Sequence, residues 1–340
     1  MKLASFRVRT QVGPFVRVGA RTDSSIIDLN MACAAMLAAE GEAQPYRLAN
    51  AMVPAAMREL LEGGPSAMAA ARRAFDFASA RGASLRGPDQ ESVFYPLPDP
   101  GSGASMRGEI TLLAPLPNPS SLRDFIAFEA HIAATSKKRG QPIPPEWYKA
   151  PAYYKGNHRT IIGPDEDLPW PLQTSKLDYE LELACVIGRQ GRDIAERDAS
   201  AYIAGYTIMN DFSARDIQFQ EMACRLGPAK GKDFATALGP CLVTPDEIPD
   251  LAALKMVARV NGQVWSEGRF GTIHWSFAQM IAHVSRGEMI YPGDVFGSGT
   301  VGGGCGLELD RFLKPGDVVE LEIQPIGVLR NRVVTAEKAL

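Results

Sequence analysis

The sequence is poor in the residues and patterns that most directly announce a chemistry. Histidine occurs four times in 340 residues. No HExxH or HxH spacing is present, so a zinc enzyme is not expected. Cysteine occurs five times, at Cys33, Cys185, Cys224, Cys241 and Cys305, an odd number with no CxxC pair. That excludes a disulfide scaffold and points to a reduced, cytoplasmic chain that uses cysteine as a small hydrophobe. There is no GxSxG elbow, no P-loop and no reactive-cysteine motif, so a hydrolytic reaction here has to use water instead of a side-chain nucleophile. No run approaches the ~18 apolar residues of a membrane span. The first nine residues lack the apolar segment of a signal peptide. Positive charge is not in excess: 36 Lys and Arg stand against 39 Asp and Glu, net −3. Neither nucleic acid nor a membrane surface is therefore an expected partner.

What is present is an ordinary globular composition, 46% apolar and 22% charged, long enough for one large domain and a smaller one. Short strands up to residue 29 are followed by helical stretches at Met31–Glu40, capped by Asn30, at Pro54–Glu62 and at Pro65–Arg81. Residues 82–108 have the Gly/Pro/Ser composition of a linker, which places a boundary near 108. The first unit is then a small α+β domain, 1–108, and the second spans 109–340. In the second, Ser120–Arg139 reads as one helix, started by a serine cap and ended by Gly140. Residues 141–172 carry seven prolines and little periodicity, the composition of a pocket wall or lid. The remainder is strand-rich with a few inserted helices, so a β-sandwich or roll is expected instead of a βαβ repeat.

The stretch Asp178-Tyr-Glu-Leu-Glu-Leu-Ala-Cys-Val-Ile-Gly188 is the most unusual. Asp178, Glu180 and Glu182 alternate with Tyr179, Leu181 and Leu183, the period of a strand. The strand then runs into a continuously apolar segment. Carboxylates entering a core need compensation, which a hard cation supplies; an acidic face on a half-exposed strand is the other reading. Asp211, at the junction of a buried strand and a helix, suits either an ion or an N-cap. Asp124 suits either an ion or the first turn of the Ser120–Arg139 helix. On that helix His131 follows Asp124 by two turns, ~10 Å along the axis, the placement of a base facing a bound substrate, although a lone helical histidine is commonly structural. Arg215 and Gln218 share a helix face. Lys232 follows a glycine-containing loop. The glycine-rich run from Gly297 to Gly306 formally matches GxGxxG but leads into no long helix. It reads as a backbone-lined pocket floor around Thr300.

Taken together, Asp178-Tyr-Glu-Leu-Glu-Leu, Met209-Asn-Asp-Phe-Ser-Ala-Arg-Asp-Ile-Gln218, Gly231-Lys-Asp-Phe234 and Gly297-Ser-Gly-Thr300 make residues 110–335 resemble the catalytic domain of the fumarylacetoacetate hydrolase superfamily, closest to the hydrolase proper. The resemblance implies a mainly β, α+β protein: a mixed β-sandwich roll preceded by a small SH3-like and helical N-terminal domain, usually as a homodimer. It implies Mg²⁺, Ca²⁺ or Mn²⁺ on Glu180, Glu182 and Asp211, with Asp124 as a fourth carboxylate. By the same resemblance His131, oriented by Glu308, activates water. Arg215, Gln218 and Lys232 stabilise substrate oxygens, Tyr154 and Thr300 touch substrate, and Thr236 lies near the ion. The implied reaction is hydrolytic C–C cleavage of a β-diketone or acylpyruvate-type acid in aromatic or related catabolism, with hydration, isomerisation or decarboxylation of a 2-keto acid as the alternative. The sequence departs from the family pattern at Ile126, Met222 and Gly140. There the family holds the far carboxylate of its substrate, so a different or less charged tail is expected.

Overall fold

The computed structural model describes residues 1–98, 110–171 and 174–336. The boundary expected near 108 falls outside them. The chain opens with β1 (Lys2–Thr10), β2 (Gly13–Arg21) and β3 (Ser25–Asp28). Four helices follow: α1 (Leu29–Ala39), α2 (Pro45–Met52), α3 (Met57–Glu62) and α4 (Gly64–Arg81). Asp28, not Asn30, caps α1 by accepting from the Met31 N–H; Asn30 is buried and donates to the Val53 carbonyl.

Next come β4 (Phe94–Pro96), β5 (Ile110–Leu112), β6 (Ser121–Phe125), α5 (Glu129–Lys138), β7 (Tyr153–Gly156), β8 (Ile161–Ile162) and β9 (Asp167–Pro169). The acidic stretch forms β10 (Leu177–Asp178) and β11 (Leu181–Ile187). It is followed by β12 (Ile203–Asp211), β13 (Ser213–Ala214), α6 (Arg215–Ala223) and β14 (Thr236–Val243). The last third holds β15 (Lys255–Val260), β16 (Gln263–Arg269), α7 (Phe277–Ser285), β17 (Asp294–Gly297), α8 (Gly306–Leu309), β18 (Val318–Ile323) and β19 (Gly327–Val334).

The fold is mixed and mostly sheet. One large sheet runs β4-β3-β2-β1-β14-β12-β11-β17-β6-β7, with β5 on β1 and β8 on β14; a second runs β16-β15-β18-β19-β9. The large sheet is covered on both faces, which explains the uninterrupted apolar run of β11. Leu181, Leu183 and Cys185 pack toward Met256, Leu321 and Leu329 of the second sheet. Ala184 and Val186 pack with Ala32, Leu60 and Ala71 of the helical layer.

Two expectations are corrected. Ser120–Arg139 is not one helix. Ser121–Phe125 is a strand, parallel to β17 and antiparallel to β7, and only Glu129–Lys138 is helical. Local caps and propensity are overridden by a slot between two strands, one of which lies far along the chain. Asp124 therefore sits opposite Gly297 and Tyr154 instead of two turns below His131. Residues 141–171 are not irregular throughout: closely spaced prolines hide three short strands that tie the segment into both sheets.

Candidate active site

The start of β11, the last residue of β12, the second half of β6 and the start of α6 converge on one cavity of about 330 Å³. Asp124, Glu180, Glu182, His131, Arg215 and Lys232 line it, with Tyr154, Gln218 and Thr300. Asp211 stands just behind this lining.

Four buried carboxylates meet here in two different conditions. Glu180 and Asp211 are paired. Lys232 Nζ donates to Glu180 Oε2 and Asp211 Oδ2, both at 2.6 Å. Arg215 pairs with Glu180 Oε1 at 2.8 Å, and Tyr154 donates to Asp211 Oδ2 at 2.6 Å. Thr236 donates to Asp211 Oδ1 at 3.3 Å. Burial works to raise the Glu180 carboxyl, but Lys232 and Arg215 together hold it below the usual carboxylate range.

Asp124 and Glu182 are not so served. Glu182 Oε2 accepts the Gly299 N–H at 3.1 Å, while Glu182 Oε1 and Asp124 Oδ1 are buried without a hydrogen-bond partner. Burial and then the charge of Asp211 push the Asp124 carboxyl well up; burial and then Asp124 do the same to Glu182. Asp124, Glu180 and Glu182 each offer an oxygen within 4.8 Å of the others. An all-oxygen donor set with two orphaned, mutually repelling oxygens fits a hard divalent cation. Asp211, held by Tyr154, Lys232 and Thr236, lies outside that trio.

Gly297 leaves room for this pair. A Cβ there would stand 2.5 Å from Asp124 Oδ1 and 3.0 Å from Glu182 Oε2, so the two carboxylates would have to shift.

The structure also brings the expected histidine pair together. His131 Nδ1 lies 2.8 Å from Glu308 Oε1, and the Gly303 N–H fixes Glu308 Oε2 at 2.9 Å. With Nδ1 engaged, Nε2 is the ring nitrogen left for a ligand. Arg215 Nη1 donates to Gln218 Oε1 at 3.0 Å, which leaves the Gln218 amide N–H₂ available. The Thr300 hydroxyl is buried without a partner.

Asp178 is no part of the cavity. It accepts from Arg215 Nε at 2.8 Å and from the Gly306 and Leu307 N–H groups at 2.7 and 2.9 Å. It anchors the arginine that serves Glu180, a role the sequence signalled only by its shared strand face. Phe219 and Met222 of α6 form an apolar mouth with Ile126 and Pro228, and are 39% and 37% exposed; Ile126 and Met222 are two of the departures from the family pattern, while Phe219 was missed. Arg215, Gln218, Phe219 and Met222 have the i, i+3, i+4, i+7 spacing of one helix face, a signal readable in advance.

Comparison with known proteins gives the chain a family. The family model for "Fumarylacetoacetate (FAA) hydrolase C-terminal" matches residues 121–334. Human mitochondrial oxaloacetate tautomerase FAHD2A is 32% identical over 335 residues, covering 98% of this chain and 92% of that protein. Oxaloacetate tautomerase YisK of Bacillus subtilis is 34% identical over 237 residues, 68% of this chain and 76% of that one. Among solved structures, maleylpyruvate hydrolase from Sphingobium sp. SYK-6, in complex with manganese(II) and pyruvate, superposes with a TM-score of 0.66 at 21% identity. It covers 98% of this chain and 99% of that one, and at that identity the likeness speaks to the fold alone. Full-length similarity to enzymes, a family match across the site-bearing region and a buried carboxylate cluster beside a histidine–glutamate pair converge: the chain belongs to the fumarylacetoacetate hydrolase family.

Proposed function

We propose that the protein is a divalent-metal-dependent enzyme that interconverts the keto and enol forms of a 2-oxo acid of the oxaloacetate class. One observation carries the reading: His131, tied at Nδ1 to Glu308, borders the same cavity as the Asp124–Glu180–Glu182 oxygens. Bound there, Mg²⁺, Mn²⁺ or Ca²⁺ supplies Lewis-acid polarisation of the 2-oxo unit. Asp124, Glu180 and Glu182 would hold it, with Asp211 adjoining.

Glu308 accepts the Nδ1–H and so fixes the tautomer in which Nε2 is basic. His131 takes a proton from the carbon next to the polarised carbonyl and returns it to oxygen or carbon. The Gln218 amide, the Thr300 hydroxyl and the remaining Lys232 donor face the substrate oxygens. The full-length likeness to tautomerases supports this choice over hydrolysis.

A second reading, C–C hydrolysis of an acylpyruvate-type acid with His131 drawing its proton from water, is favoured by the apolar mouth at Ile126, Phe219 and Met222, which suits an acyl tail. Unbonded cysteines support a reducing compartment, cytoplasm or mitochondrial matrix. Among the described residues no helix is long and apolar enough to cross a membrane.

The test follows enol absorbance of oxaloacetate, and pyruvate release from a set of acylpyruvates, with Mn²⁺ or Mg²⁺ and with chelator. The reading predicts metal-dependent acceleration of enol decay, lost in His131→Ala. Wild-type rates in His131→Ala, or no acceleration of either substrate class with metal, would sink it. Pyruvate release without faster enol decay would select the second reading.

A further inference from the structure

Behind His131 lies a cluster that the proposed reaction uses only in part. Cys305 Sγ lies 3.6 Å from Glu308 Oε1, and the same oxygen is 2.8 Å from His131 Nδ1. One nitrogen, one sulfur and one carboxylate oxygen thus converge from α5, from the residue before α8 and from α8, all within 4.8 Å of one another. His131 and Cys305 are buried. Because the Gly303 N–H holds the other carboxylate oxygen of Glu308, Oε1 is the one turned to this cluster.

This donor set differs in kind from the all-oxygen trio of Asp124, Glu180 and Glu182. Magnesium and calcium are hard cations that take oxygen; a thiol, an imidazole and a single carboxylate suit zinc and its borderline-soft neighbours. With Zn–S of about 2.3 Å and Zn–N and Zn–O of about 2.0–2.2 Å, ligand atoms around a tetrahedral ion stand roughly 3.3–3.6 Å apart. The observed 2.8 and 3.6 Å bracket that range, so a small parting of His131 from Glu308 accommodates the ion. Arg215 acts electrostatically on Cys305, but its charge is already met by Asp178 and Glu180.

We infer that His131, Cys305 and Glu308 form a second metal site, selective for zinc-like cations over magnesium, with three protein ligands and an open position. Its occupation ties up the base and inhibits the enzyme. The inhibition rests on the proposed role of His131; the binding does not.

The experiment uses the full chain with saturating Mg²⁺ on the carboxylates. Co²⁺ is titrated while the thiolate-to-cobalt charge-transfer absorption is followed, and Zn²⁺ inhibition is measured alongside. The expected result is one equivalent of cobalt per chain with a thiolate band, displaced by Zn²⁺. Cys305→Ser is expected to lose the band and weaken Zn²⁺ inhibition by at least about tenfold. Cys224→Ser, which removes an exposed thiol, is expected to keep both. Glu308→Gln, as a second variant, is expected to retain the thiolate band at weaker cobalt affinity. No band in the wild type, or a band surviving Cys305→Ser, overturns the site. Zn²⁺ inhibition equal in wild type and Cys305→Ser overturns the inhibitory role and places zinc on the carboxylates. A protein inactive on every 2-oxo acid would count against the proposed function, while the cobalt band would still decide this site.

Discussion

Two pairs of carboxylates share one cavity and nearly the same burial, yet they are treated in opposite ways. Glu180 and Asp211 are 4% and 0% exposed, Asp124 and Glu182 5% and 0%. The first pair is met by Lys232, Arg215 and Tyr154; the second keeps an orphaned oxygen on each residue. Burial alone therefore does not set the electrostatics of this site. The fold supplies its own cations to Glu180 and Asp211 and none to the orphaned oxygens of Asp124 and Glu182. The contrast separates what holds the protein together from what the protein holds.

The strongest way to break that contrast is to remove an internal cation. Arg215→Ala leaves the buried Asp178 without a cation and Glu180 with Lys232 alone, and is expected to cost about 3–5 kcal/mol, read as a lowered midpoint in denaturant. The next effect comes from outside. Adding Mg²⁺ or Mn²⁺ at a hundred times its dissociation constant is expected to stabilise the wild type by about 2.7 kcal/mol. Chelator should reverse the shift in thermal melts, and Glu182→Gln should not show it. Gly297→Ala puts a methyl group against Asp124 Oδ1 and, at 2.2 Å, against Met209 Cε. It is expected to cost about 1–3 kcal/mol and to weaken metal binding measured by calorimetry. In metal-free protein, Glu182→Gln should be neutral or stabilising by up to about 1 kcal/mol, because it relieves repulsion where Arg215→Ala creates an unpaired charge. A large loss in metal-free Glu182→Gln would erase the distinction between the halves.

The smallest effect is a control on a carboxylate served by neutral donors. Burial works to raise Asp216, but hydrogen bonds from Thr174 and Ser175 prevail and hold its carboxyl at about 2, below the ordinary 3.8. A depressed folded value means the contribution is complete above about pH 4 and is lost as pH falls through about 2. Asp216→Asn should flatten that part of the acid-unfolding curve by slightly lowering stability at neutral pH, with stability below about pH 2 almost unchanged.

Glu180 and Glu182 were legible because period-2 alternation survives in any sequence that runs along a strand. The helix carrying Arg215 and Gln218 was legible for similarly local reasons. Asp124 lies beside Glu180 and Glu182 but was assigned to the wrong element. The serine before it and Gly140 after it look like helix signals, and only pairing with β17 makes it a strand residue. Glu308 came from resemblance alone, since no spacing rule links it to a histidine 177 residues away. Helix α2 escaped notice because Gln44 makes no side-chain cap. Phe219 was readable from helix spacing but overlooked, and the approach of Cys305 to Glu308 escaped because convergence is a property of the folded chain.

The placement of β1 imposes an order on assembly. Its hairpin with β2 spans only residues 2–21 and can close as soon as they are made. Its other edge is completed in two instalments: Phe6–Val8 by β5, and Lys2–Leu3 by β14 at Leu242 and Val243. At synthesis rates of about 5–20 residues per second, the open end of the first strand waits roughly 10–50 s for its partner to emerge from the ribosome. During that interval the nascent chain carries an unsatisfied strand edge. The growing protein thus depends on a partner encoded some 240 residues downstream, and most of the active-site residues, from Asp124 to Lys232, are made while that edge is still waiting.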